Sequence, residues 1–207
     1  ENKRMKIDRF KANIDGLQRN NRYNIAMFGT GAKVTGINIR GLRCDTATVP
    51  GRGFFTNEES EYGPKRAIPH KPQYDQFDCS FYLTNDMEDR ELIEGWQSSV
   101  NGMRSGNFHS RFPEDYHGVI LLEMLDKRDL VNYRCIMTDA FPLQLSVVNL
   151  GYENSDITKF NAQFRYRYWT SEFVNSNQSN LITGYLDKYL TKKGVEVRGR
   201  IEDAIFG

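Results

Sequence analysis

From Phe160 to Tyr168 the chain alternates between two kinds of side chain. Phe160, Ala162, Phe164, Tyr166 and Tyr168 take one parity, and Asn161, Gln163, Arg165 and Arg167 take the other. A period of two belongs to a β-strand, and the apolar side of such a strand needs a second layer to rest on. The pattern therefore demands a sheet with at least one dry face, and shorter versions of it recur. Tyr23, Ile25 and Met27 alternate with Asn24 and Ala26, and Leu42, Cys44, Thr46 and Thr48 do the same ahead of Pro50-Gly51. Phe77, Cys79, Phe81 and Leu83 share one face of a further strand. The run VILLEML at 119–125 is apolar on both parities, as in a strand covered on both sides. Leu130 to Met137 reads as a strand after the polar turn Asp126-Lys127-Arg128-Asp129, and FPLQLS as another short one. An aromatic share of 13% across 207 residues suits pleated surfaces, and the length suffices for a buried core without cross-links.

Helical spacing is confined to a few places. After the strand ending near Asn85, Leu92, Ile93, Trp96 and Val100 form one stripe, with Asn85 and Glu88 spaced as a capping box and Asn101-Gly102 as the stop. Asp86, Glu88 and Asp89 suit the positive end of that helix. Residues 1–19 read as an N-terminal helical arm, with Ile7, Phe10, Ile14 and Leu17 on one side. Residues 20–170 form the β domain. Residues 171–207 read as a polar linker, SEFVNSNQSN, followed by a C-terminal helix that carries Leu181, Ile182, Tyr185, Leu186, Tyr189 and Leu190. Between Gly51 and Asp75, Gly63-Pro64 signals a turn, while Pro69 and Pro72 exclude a central strand, so residues 51–75 are expected as a long exposed hairpin or loop.

Charge and motifs exclude several chemistries. With 28 Lys plus Arg against 27 Asp plus Glu, no global field draws the chain to nucleic acid or an anionic membrane. GTGAKVTG at 29–36 contains G-x-G, but the β-branched continuation VTGINIRG denies it the helix N-terminus that a phosphate cradle needs, and a hairpin loop is the better reading. His70, His109 and His117 lack ligand-spaced neighbours, no nucleophile elbow occurs, and no catalytic, metal or cofactor residues are assigned. Cys44, Cys79 and Cys135 are odd in number and lie in strand-like runs, which points to buried free thiols and a reducing compartment. No run approaches a membrane span, and ENKRMKIDRF lacks a signal-peptide core, so assembly in the cytosol is expected. The run FRYRYW at 164–169 interleaves arginine with aromatics, as a single-strand nucleic-acid platform would. At a net charge of +1, an amphipathic strand is the better reading, and a nucleic-acid-binding β-barrel using Arg165, Tyr166, Arg167, Tyr168 and Trp169 is the alternative.

The order of elements resembles the tail-tube module of contractile-tailed bacteriophages over roughly residues 20 to 170. The stretches that carry it are RNNRYNIAMF, CDTATVPG, YDQFDCSFYLTNDMEDRELIEGWQSSV and DAFPLQLSVVNLGYENSDITKFNAQFRYRYW. Within them, Asn85-Asp86, Trp96-Gln97, Asn154-Ser155-Asp156 and Tyr166 to Trp169 stand at matching places. The resemblance implies a mainly β fold, an antiparallel β-sandwich or barrel with one packed helix, to which short terminal helices are added here. It also implies a non-enzymatic virion protein of the tail, assembled in the host cytoplasm as a hexameric ring, with a fold similar to the type VI secretion ring protein. Implied partners are copies of itself, adjacent tube or baseplate proteins, and sheath or tape-measure proteins; DNA passes the lumen without specific binding and no membrane is involved. The places where tube proteins of this family carry Asn-Leu-Phe and Gly-Asp-Arg-Thr-Phe read RNNRYN and HKPQYDQF, which leaves tube body and baseplate initiator both open. The expected assembly contacts are Phe54, Phe55, Tyr62, Lys65, Arg66 and Ile68 in the hairpin, Tyr166, Tyr168 and Trp169 in the final strand, and Leu181, Tyr185 and Tyr189 in the C-terminal helix.

Overall fold

The computed structural model describes residues 17–29, 43–59, 63–102, 109–152 and 156–173. The expected N-terminal arm up to residue 16 and the C-terminal helix lie outside them, as do most of the 29–36 motif and Asn154-Ser155. Nine strands are described: β1 (Tyr23–Gly29), β2 (Cys44–Ala47), β3 (Arg52–Glu59), β4 (Arg66–Tyr74), β5 (Phe77–Tyr82), β6 (Gly118–Leu125), β7 (Val131–Leu145), β8 (Lys159–Arg165) and β9 (Tyr168–Phe173). Two helices accompany them, α1 (Glu88–Asn101) and the short α2 (Pro113–Tyr116). All the pairings are antiparallel.

Seven strands make one sheet in the order β1-β6-β7-β8-β5-β2, with β9 also on β7, while β3 and β4 form a separate hairpin. The long strand β7 organises the domain. Its first part pairs with β6 on one side and β9 on the other, and its last part, from Phe141, pairs with β8. Leu130 to Met137 and FPLQLS are thus one strand, not the two that the interrupted pattern suggested. The interruption is a bend: Asp139 takes a left-handed φ of 54°, and the chain passes from one half of the folded sheet to the other without losing its pairing. The facing chain breaks at the same place. β8 ends at Arg165 and β9 begins at Tyr168, so the alternation from 160 to 168 spans two strands, with the Arg167 N–H donating to the Thr138 carbonyl at 3.0 Å across the corner. β9 runs on to Phe173, into the stretch read as linker.

The folded-over sheet encloses one core. Ile25 and Met27 from β1, Phe77 and Phe81 from β5, Ile120 and Leu122 from β6, Cys135 and Met137 from β7, and Phe160 and Phe164 from β8 meet there, those of β1, β5 and β8 at the expected parity. The free edges approach each other where the Tyr23 hydroxyl donates to the Cys44 carbonyl at 3.0 Å, from β1 to β2. The helix α1 closes the core with Ile93 and Trp96, both fully buried, whereas Leu92 of the expected stripe is 36% exposed. The Trp96 ring lies 5.7 Å from that of Phe164, and its indole N–H donates to the Tyr116 carbonyl at 2.7 Å.

The start of α1 corrects the capping-box reading. Met87 is the N-cap, in a left-handed conformation with no side-chain cap bond, and Asn85-Asp86 lie in the preceding turn. Arg43, just before β2, bridges Glu88 at 3.1 Å and the buried Asp89 at 3.2 Å, so these acids also anchor the helix to the sheet. The left-handed Gly102 ends the helix, with its N–H donating to the Ser98 carbonyl.

Candidate assembly surface

The hairpin of β3 and β4 stands apart from the sheet. Its pairing runs from Arg52↔Tyr74 to Glu59↔Arg66, with a bulge after Phe55, and both prolines sit in this two-stranded ribbon, where one edge of β4 needs no partner. Almost every residue in it is exposed; Ile68 and Tyr74 are half-buried. Phe54 and Phe55 are 59% and 56% exposed, and Lys65 pairs with Glu58 at 3.0 Å near the tip. A two-stranded ribbon in water is marginal without support. Its support is at the base. The Arg52 guanidinium lies 4.4 Å above the Trp169 ring and 5.8 Å from that of Tyr74, and it donates to the Trp169 carbonyl at 3.1 Å. In return the Trp169 indole N–H donates to the Gly51 carbonyl at 3.2 Å, and Tyr74 meets Tyr166 edge-on at 6.1 Å.

Of the expected contact residues, Phe54, Phe55, Lys65, Arg66 and Ile68 therefore share one projecting element, while Tyr62, Leu181, Tyr185 and Tyr189 lie outside the described residues. The final-strand residues divide. Tyr166 belongs to the interior, being 5% exposed, and burial pushes its hydroxyl up to about 12. Trp169 packs against the core and clamps the hairpin, and Tyr168, its neighbour in β9, points to the opposite face of the sheet. Arg165, Tyr166, Arg167, Tyr168 and Trp169 accordingly do not form a continuous stacking platform.

Two features escaped the sequence reading. Arg52 is the base clamp, and its proximity to Trp169, far along the chain, left no local signal. The segment from Val147 to Ile157 bears large exposed apolar side chains, with Val147 86%, Leu150 83% and Ile157 71% exposed. Its apolar composition was visible, but without a period it could not be assigned to a face. It is tied to the sheet where the Ser146 N–H donates to the Asn161 carbonyl at 2.8 Å and the Leu83 N–H to that of Thr158 at 2.9 Å.

Chemically reactive constellations are absent among the described residues. No group of His, Cys, Asp and Glu there could hold a metal, and no helix there is long and apolar enough to cross a membrane. The three thiols are free and buried, and burial pushes Cys44 up to about 11 and Cys135 to about 12. His117 stacks on Phe141 and lies 3.9 Å from Asp139, which also approaches Arg167 at 3.6 Å, so these three groups gather at the corner of β7.

Comparison with known proteins gives this surface a context. No curated protein matches the sequence. Among solved structures, a chain of the anti-feeding prophage cap, a tube terminating cap, is similar with a TM-score of 0.59 at 12% identity, covering 76% of this chain and 92% of that one. A chain of the PVC sheath-tube complex, from an extracellular contractile injection system in its extended state, gives 0.58 at 11% identity, covering 80% and 97%. A chain of the anti-feeding prophage baseplate gives 0.55 at 11%, covering 74% and 94%. At such identities the likeness is one of fold. Sequence supplies the rest: the family model described as phage tail tube protein matches residues 16–172, well over half of the chain and nearly all of its described part, and the chain therefore belongs to the phage tail tube protein family.

Proposed function

We propose that this chain is a non-catalytic, ring-forming subunit of a contractile tail tube, acting through its contacts with copies of itself and with neighbouring tail proteins. The observation that carries the reading is the anchored hairpin. Arg52, Trp169 and Tyr74 hold its base to the sheet, so Phe54 and Phe55 are presented on a supported element and not on a loose loop. An unpaired ribbon edge with exposed aromatics suits addition to a second subunit. A head-to-tail contact of this kind closes into a ring when the rotation fits. Six-fold symmetry is favoured by the similar chain in a baseplate described as 6-fold symmetrised.

In this reading the ring belongs to the virion tail, assembles in the host cytoplasm, and takes tube, baseplate, sheath or tape-measure proteins as partners. Its lumen is the conduit for DNA ejection, and the divided aromatics of residues 164–169 argue against a DNA-gripping wall. The number of copies per tail separates the two placements: many rings identify the tube body, and one ring identifies a baseplate initiator.

The test compares the wild-type chain with Phe54→Ser/Phe55→Ser by sedimentation, alone and with tail partners. Both side chains are exposed, so the double variant is expected to stay folded by circular dichroism while assembly is lost. Assembly at wild-type strength would remove the hairpin from the interface.

A further inference from the structure

The hairpin has two outer edges, and they are not alike. Among the described residues neither β3 nor β4 has a partner on its far side. An antiparallel pair alternates between residues that exchange two hydrogen bonds and residues that exchange none and turn their N–H and C=O away from each other. Proline has no N–H, so Pro72 opposite Phe54 and Pro69 opposite Thr56 are pairs of the second kind. Both proline nitrogens therefore lie on the outer edge of β4. Three positions apart, they would fall on opposite edges of a regular strand; the bulge places its extra residue, His70, between them and brings both to the same edge.

The edge of β4 is thereby closed to a further strand, because Pro69 and Pro72 donate nothing there. The edge of β3 is open. It has no proline and takes no extra residue, so Arg52, Phe54, Thr56 and Glu58 present N–H and C=O outward without interruption. An open edge with exposed phenylalanines beside it is a site for pairing with another chain. We infer that β3 pairs antiparallel with β3 of a second copy of this chain, about a two-fold axis at Phe55, and that this pair closes the edge while the chain is outside a ring.

The strand is complementary to itself in that register. Turned about Phe55, it sets Arg52 opposite Glu58 of the second copy and Phe54 opposite Thr56 of the second copy, so outward residues meet outward residues and opposite charges face at both ends. The pair then exchanges about eight backbone hydrogen bonds. A slip of two residues keeps the outward parity but sets Glu58 opposite Pro50 or Phe54 and loses the charge match. The Arg52 guanidinium has donors enough to keep its bond to the Trp169 carbonyl and still meet a carboxylate. The product is a four-stranded sheet in the order β4-β3-β3-β4, bounded on both sides by proline edges, so pairing stops at two copies. Such a pair occupies the hairpin on which the ring reading rests and holds free subunits back until assembly; the pairing itself does not presuppose a ring.

Cross-linking and sedimentation of the full chain in dilute solution, without tail partners, test the pair. The native cysteines are buried, so a new thiol on the hairpin reports on its neighbours. Under mild oxidation Phe55→Cys should form disulfide-linked dimers at least tenfold faster than Lys71→Cys, an exposed position opposite it on β4. Thr56→Pro removes one outward N–H and should weaken the dimer about tenfold or more, whereas Ala67→Pro, on the outer edge of β4, should leave it unchanged. Should Thr56→Pro disturb the hairpin, the Phe55→Cys cross-link still decides. A chain that sediments as a monomer, equal cross-linking of the two cysteine variants, or a dimer in which Ala67→Pro matters as much as Thr56→Pro would overturn the inference. The two readings fail separately: rings built by a chain that shows no such dimer leave the ring standing alone, and a dimer that never enters a ring leaves the pair standing alone.

Discussion

Single side chains carry distinct parts of the account, and four of them can be weighed. Trp96 fills the core against Phe164 and satisfies its N–H on the Tyr116 carbonyl, so Trp96→Ala combines a large cavity with a lost hydrogen bond. A loss of about 3–5 kcal/mol is expected in urea unfolding. Arg52→Ala removes the stacking on Trp169 and the bond to its carbonyl at a surface site, which is worth about 1 kcal/mol. Its effect should be local, seen as faster amide exchange in 52–59 and 66–74 while the main sheet stays protected; unchanged hairpin exchange would contradict the clamp. The buried thiols give a pH dependence. Unfolded cysteine ionises near about 8.5, whereas Cys44 and Cys135 are held up to about 11 and 12 in the fold by desolvation. In that window the unfolded chain binds fewer protons than the folded one, so these groups make stability fall as pH rises. Their contribution is flat below about pH 8 and declines between roughly pH 9 and 11, and the urea midpoint should follow it. Replacing both cysteines with Ala or Ser should reduce that slope.

Elements were legible in proportion to how regularly they repeat. Strands β1, β5, β6 and β8 and the stop of α1 could be read because parity, turn residues and Gly102 act over a few neighbours. The corner could not. Thr138-Asp139 looks like a gap between two strands, and Tyr166 looks like one more aromatic on a straight strand, because the bend exists only when β7 and the β8-β9 pair turn together. The same limit hid the base of the hairpin, where Arg52 and Trp169 meet across 117 positions. The capping box failed for a tertiary reason, since Arg43 takes up the acids of the first turn. The corner itself is testable. Asp139 is left-handed, a conformation that asparagine tolerates and a β-branched residue resists. Asp139→Asn should therefore stay near wild-type stability, whereas Asp139→Val should lose about 1–3 kcal/mol. Equal melting of the two would show that the backbone conformation is not what limits the site.

The whole molecule joins a closed β core, fixed by packing, to surfaces whose apolar side chains have no role inside it. Family membership places it among tail tube proteins, and the projecting hairpin supplies the means of assembly proposed for it. The decisive measurement is electron microscopy of the purified chain at high concentration, alone and with its tail partners. The account predicts rings or stacked tubes, with hairpin 52–74 seated on a neighbouring subunit. Monomers under every condition, or rings in which the hairpin points freely into solvent, would contradict it.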